Sequence, residues 1–147
     1  MSDLRPPRYL KSMNKFVIGL QKLGIRTGPA MVLTVAGRKT GRLRRTPMTP
    51  VEHGGGLYTV SGYPGADWAA NARAAGAGTL SRGRKSRRVK IIEMTAEEAR
   101  PVLRSFPAQV PVGVGFARRS GQVRVGTPEE FEALAGRLVV FRFDPDN

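Results

Sequence analysis

A small antiparallel β-barrel, closed or partly open and carrying helices, is the fold that the sequence predicts. Two observations point to it. The chain holds about five or six short runs of apolar and β-branched residues bounded by glycine and proline. Helical patterns interrupt these runs at irregular intervals, whereas a doubly wound sheet alternates strand and helix regularly. A length of 147 residues fits a single domain, residues 1–147, with one real core.

Residues 1–8 contain Arg5-Pro6-Pro7-Arg8 and read as extended or mobile. Over residues 9–23 apolar side chains recur at spacings of three and four (Leu10, Met13, Phe16, Val17, Leu20, Leu23), which predicts an amphipathic helix ending at Gly24. Met31-Val32-Leu33-Thr34-Val35-Ala36 reads as a buried strand. Gly37 to Gly41 form a tight basic turn. Residues 46–52 alternate and read as a second strand carrying two prolines. Gly54-Gly55-Gly56 makes a hairpin turn into a third strand, residues 57–61. After the loop Gly62-Tyr63-Pro64-Gly65, residues 66–75 form an alanine-rich helix closed by Gly76. Residues 84–94 read as a strand, charged early and apolar late. Thr95-Ala96-Glu97-Glu98 is a capping box opening a helix to about residue 106. Thr127-Pro128-Glu129-Glu130 is a second box, opening a short helix that ends at Gly136. Residues 138–143 close the chain as an apolar and aromatic strand, and residues 107–126, rich in proline, glycine and valine, take no assignment.

Composition excludes several chemistries. Apolar residues make up 40% and charged residues 24%, a globular balance. There is no cysteine and a single histidine, His53, so disulfides, thiolate sites and His-based metal clusters are out. His53 beside the triple glycine reads as an exposed turn residue. No uncharged stretch is long enough to span a membrane, and no signal-peptide pattern opens the chain, which leads us to expect a cytoplasmic protein. The net charge of +14 attracts anions. Six basic residues crowd into 82–90, without the interleaved aromatics that base stacking needs, so nucleic acid is disfavoured as a partner.

No catalytic triad and no paired carboxylates are present, so an enzyme of this sequence would leave the chemistry to a cofactor. The best anion site is Gly37-Arg38-Lys39-Thr40-Gly41-Arg42-Leu43-Arg44-Arg45-Thr46-Pro47. Its glycines let backbone N–H groups converge, Thr40 adds a hydroxyl, and Arg38, Lys39 and Arg44 supply charge-assisted bonds. It is neither a Walker loop nor a dinucleotide fingerprint, and on physics alone it reads equally well as a solvated basic hairpin.

The run L-T-V-A-G-R-K-T-G followed by R-x-R-R-T-P resembles the signature of the deazaflavin-dependent nitroreductase family, approximately L-T-T-x-G-R-[KR]-[ST]-G-x-x-R-x-x-P. Tyr58-Thr59-Val60-Ser61 and Asp67-Trp68-Ala69-Ala70-Asn71 resemble the second block, a strand followed by a helix with W-x-x-N. The two blocks stand in order with the right spacing, and the likeness spans roughly residues 16–94. It implies a split β-barrel of the FMN-binding type and coenzyme F-420, which carries hydride to an electron-poor acceptor such as a quinone, enone or nitro compound. By the same resemblance Arg38, Lys39, Thr40 and Arg44 would hold the phosphate and acidic tail, and Thr46, Pro47 and Met48 would line the ring edge. Ser61, Gly62 and Tyr63 would lie along the ring, with Asp67, Trp68 and Asn71 buttressing that loop. No catalytic side chain is implied. Members that reduce nitroimidazoles carry tyrosines in the C-terminal third, where this chain has Phe116 and no tyrosine.

Three alternatives accompany this reading. Split barrels also serve flavin enzymes, so FMN is the runner-up cofactor. The same barrel could be a non-catalytic module for anionic lipid, fatty acid or nucleic acid. The lysine-bearing residues 9–23 suit a peripheral contact at the inner membrane face as well as packing across the barrel. Related barrels often pair, which makes a homodimer an expectation.

Overall fold

The computed structural model describes residues 30–146. The helix expected over residues 9–23 and the conformation expected for residues 1–8 lie outside them. Among the described residues the strands are β1 (Met31–Ala36), β2 (Leu43–Met48), β3 (Val51–His53), β4 (Gly56–Val60), β5 (Ala77–Arg82), β6 (Lys85–Glu93) and β7 (Val140–Pro145). The helices are α1 (Asp67–Ala75), α2 (Ala96–Gln109), α3 (Pro111–Arg119) and α4 (Pro128–Glu132). All seven strands join one antiparallel sheet, in the order β2-β1-β5-β6-β7-β4-β3, curled into a half-barrel.

Two apolar clusters hold it together. On one, α1 lays Ala69 and Ala72 against Leu33, Leu80 and Ile91; alanine lets the helix axis approach the sheet closely. On the other, α2 packs Val102, Leu103 and Phe106 against Val51, Val140 and Phe131. The Phe106 and Phe131 rings meet at 5.0 Å between centroids, within the range where tilted aromatic pairs attract.

Most predicted elements are where the sequence places them. The strand at 31–36 is β1, and both capping boxes form, with Thr95 accepting from the Glu98 N–H and Thr127 from the Glu130 N–H. Gly54 and Gly55 take positive φ between paired His53 and Gly56, the backbone of a type I′ hairpin. His53 is exposed there, edge-on to Tyr58.

Five expectations need correction. The strand read over 46–52 is two strands, broken at Thr49 and Pro50. Pro47 stays within β2 because β2 is an edge strand, where a missing N–H leaves no sheet partner wanting. Strand β5 went unread: its Ala77 and Gly78 are poor strand formers, yet a Cβ at Gly78 would stand 2.7 Å from the Thr34 carbonyl oxygen, so the close approach requires glycine. Helix α2 runs past Pro101 and Pro107 to Gln109, whose amide bonds both the N–H (2.9 Å) and the carbonyl (2.8 Å) of Glu52 on edge strand β3. Within the unassigned stretch lies a whole helix, α3. The last strand begins at Val140, since Leu138 belongs to a separate bridge with Ala135.

Candidate functional site

Strand β2 links the two halves of the candidate site. Its register sets Arg44 opposite Val35, Thr46 opposite Leu33 and Met48 opposite Met31. Side chains two apart share a face, so Arg44, Thr46 and Met48 project together, with Arg44 roughly 7 Å of extended strand before Thr46. Thr46, Pro47 and Met48 form one wall of a cavity of about 300 Å³. Ser61, Gly62 and Tyr63, at the end of β4, form a second wall, and Trp68 of α1 a third. These seven predicted residues are therefore brought together.

Burial and hydrogen bonding fix the second wall. Ser61 is buried; its N–H donates to the Val139 carbonyl and its Oγ accepts from the Val139 N–H, both at 2.9 Å. The Gly62 carbonyl accepts from Gln122 Nε2 at 2.8 Å. Tyr63 sets its ring 6.2 Å from that of Phe116. Burial, with a smaller contribution from the charge of Asp67, raises the Tyr63 phenol above its ordinary value, so it stays protonated through neutral pH. Trp68 lies against Phe141 at 5.9 Å, so it serves core and cavity at once.

The basic turn does not gather as the sequence suggests. Three of its backbone N–H groups are spent internally: Gly37 donates to Arg42 O (2.7 Å), Gly41 to Gly37 O (2.9 Å), and Arg42 to Thr40 Oγ1 (3.2 Å). Arg38 is committed to α1. Its backbone N–H and Nη1 donate to Asn71 Oδ1 at 3.1 and 2.7 Å, and Nη2 pairs with Asp67 at 3.0 Å. Asn71 is buried for this purpose. Asp67 and Asn71 thus hold the turn on the helix and lie outside the cavity lining. Lys39, Thr40 and Arg44 are exposed, with Arg44 lying across Gly37, where a Cβ would meet its Cγ at 3.4 Å.

Sequence reading missed the roof. Val110, Val112, Gly113, Phe116 and Arg119, around and within α3, close the cavity. The signal was present: Pro111 at a first helical position, and Val112, Phe116 and Arg119 at spacings of four and three. A larger open cleft, about 720 Å³, lies between the β3–β4 and β5–β6 hairpins, lined by Leu57, Leu80, Arg82, Lys85 and Arg87. None of the predicted residues lines it, so size alone does not mark the site.

The smaller cavity suits a deazaflavin by its chemistry. Apolar walls fit the faces of a flat ring, and the hydroxyls of Thr46 and Ser61 fit its polar edge; Lys39 and Arg44, exposed and outside the lining, carry charge of the sign that a phosphate and an acidic tail would need.

Comparison with known proteins gives the same picture. No curated protein matches the chain. Among solved structures, a domain-swapped dimer is similar over 92% of this chain and 97% of its own, at 17% identity and TM-score 0.59. An F420-H2 dependent reductase (FDR-A) is similar over 80% and 95%, at 19% identity and TM-score 0.54. The heme storage protein HutZ from Vibrio cholerae is similar over 94% and 91%, at 12% identity and TM-score 0.56. At such identities the likeness shows the fold, a split β-barrel of FMN-binding type. The family model described as F420H(2)-dependent quinone reductase matches residues 11–128, most of the chain. This protein accordingly belongs to that family and is an oxidoreductase that works with coenzyme F-420.

Proposed function

We propose that this enzyme reduces a quinone, with the reduced deazaflavin supplying the hydride. The observation that carries the reading is the shared face of Arg44, Thr46 and Met48, which leads from an exposed cation into an apolar cavity. Lys39, Thr40 and Arg44 bind the phosphate and acidic tail. Thr46, Pro47 and Met48 run along the ring edge, and Ser61, Gly62 and Tyr63 along the ring itself, with Trp68 behind them. Arg38, Asp67 and Asn71 act one step back, fixing the turn so that Lys39 and Arg44 face the ligand. The apolar walls limit water around the ring and hold acceptor and ring in one orientation. No side chain makes or breaks a covalent bond.

The family's acceptor supports a quinone over an enone or a nitro compound, and its carrier leaves the FMN alternative unsupported. We read residues 1–147 as one domain working as a homodimer, a pairing that the solved domain-swapped relative supports. Among the described residues no helix is long and apolar enough to cross a membrane. Contact with lipid, which a quinone substrate favours, we assign to residues 9–23 at the inner face of the membrane.

The test is a titration of purified protein with F-420, followed by the coenzyme's fluorescence. Saturable binding and turnover with menadione are expected. Absence of saturable binding up to high micromolar F-420 overturns the reading.

A further inference from the structure

Arg119 alone bears a charge among the described residues lining the cavity; the others are apolar, glycine or hydroxyl-bearing. It ends α3, on the same face as Val112 and Phe116, which also line the cavity. Its guanidinium folds back along the helix: a Cβ at Gly115 would stand 3.2 Å from Nη1. Glycine at 115 therefore leaves room for the guanidinium of Arg119, an exposed residue of the cavity lining. Arg119 and its neighbour Arg118 are both exposed, but Arg118 does not line the cavity. Tyr63, on the facing loop, offers a neutral donor, since its phenol is held protonated.

A single guanidinium beside apolar walls matters because of where charge appears during reduction. A neutral quinone that accepts a hydride becomes an anion, with the displaced π pair on a quinone oxygen. Near low-dielectric walls an unpaired oxyanion is costly, and a preorganised cation offsets that cost as the charge develops. A guanidinium has five donors, so it can hold a protein partner and an acceptor oxygen together.

We propose that Arg119 binds the acceptor's oxyanion, acting as a catalytic residue for the quinone reduction on whose assignment this inference rests. The acceptor gains the hydride supplied by the reduced carrier, and its π pair moves to the oxygen facing Arg119. The guanidinium donates hydrogen bonds to that oxygen and keeps its protons. Water then delivers one proton, completing a two-electron reduction to the quinol. Acceptors that place the new charge on an oxygen within reach of α3 are the favoured class.

The chain's only tryptophan, Trp68, lines the same cavity, so its fluorescence responds to a ligand entering that cavity. Full-length wild type, Arg119→Gln, Arg119→Lys and the control Arg118→Gln are each loaded with oxidised F-420. They are titrated with neutral menadione and with 2-hydroxy-1,4-naphthoquinone, an anion at neutral pH that carries its charge on quinone oxygen. Arg119→Gln is expected to lose about tenfold or more in affinity for the anion and under about threefold for menadione, the loss of one charge-assisted bond. Arg119→Lys keeps much of the anion affinity, and Arg118→Gln behaves as wild type. With reduced F-420 loaded in place of the oxidised form, single-turnover reduction of menadione falls about tenfold or more in Arg119→Gln, as a lost oxyanion donor predicts. Equal losses for the two quinones, or no loss, overturn the proposal. So does weakened F-420 binding in Arg119→Gln, which assigns the side chain to the cofactor. Wild type that binds no F-420 fails the enzyme reading itself, whereas wild type that binds and turns over beside an unaffected Arg119→Gln fails only the inference.

Discussion

Asn71 accepts two hydrogen bonds from one arginine, Arg38, and is 4% exposed. Truncation to alanine leaves a backbone N–H and a guanidinium edge without their acceptor, a loss of about 1–3 kcal/mol. Because Asn71 lies outside the cavity lining, the proposed division of labour makes a sharp forecast. Asn71→Ala lowers stability in urea melts and weakens F-420 binding together. Lys39→Ala, at an exposed position, weakens binding with stability unchanged. If both variants affect binding alone, Asn71 is a contact and not a prop. Glu130 supplies a pH signature. Backbone N–H groups of Arg124, Gly126, Thr127 and Val125 donate to its carboxylate, Arg124 contributing most, and lower its pKa from 4.5 to about 2. A depressed folded-state value means the stabilisation is complete above about pH 4.5 and disappears as pH falls towards 2. Thermal melts should therefore drop through that window in wild type and drop less steeply in Glu130→Gln, where the lowered Glu98, Glu129 and Asp144 still titrate.

At the scale of elements, α3 shows tertiary packing outweighing propensity. Val112, Val114, Gly113 and Gly115 are poor helix formers, which hid the helix in the sequence. A Cβ on Gly113 would collide with Phe106 Cζ, so the glycine lets α3 close over α2. Gly113→Ala therefore sets a gain of about 1 kcal/mol in helix propensity against overpacking of about 1–3 kcal/mol. The clash is with a ring of the core cluster, and we expect net destabilisation by urea melt, with Phe106 displaced at the cavity wall. Strand β5 was hidden for the same reason, its Gly78 lodged against the backbone of β1. By contrast, α1, α2 and α4 announced themselves, because a C-terminal glycine or a capping box is a local contact that needs no partner from elsewhere in the chain.

For the whole molecule, the surplus of cations is the dominant long-range fact. A chain of net charge +14 draws a polyanionic coenzyme to it, and exposed charges are screened by salt. F-420 affinity should fall by roughly tenfold between low and high ionic strength, with menadione affinity changing little; equal sensitivity of the two would contradict a charged tail held at Lys39 and Arg44. The barrel class, the basic turn and the residues of β2, β4 and α1 that meet at the cavity were legible in the order of the amino acids, because alternation, glycine turns and caps are written within a few neighbours. Which cations remain for a ligand was not legible. Arg38 is claimed by a helix about thirty residues away in the chain, and Arg119 reaches the cavity only because α3 folds over α2. Hydrogen bonds and close packing between segments distant in sequence carry no local pattern, and it is these that tie Arg38 to a helix and bring Arg119 to the cavity lining.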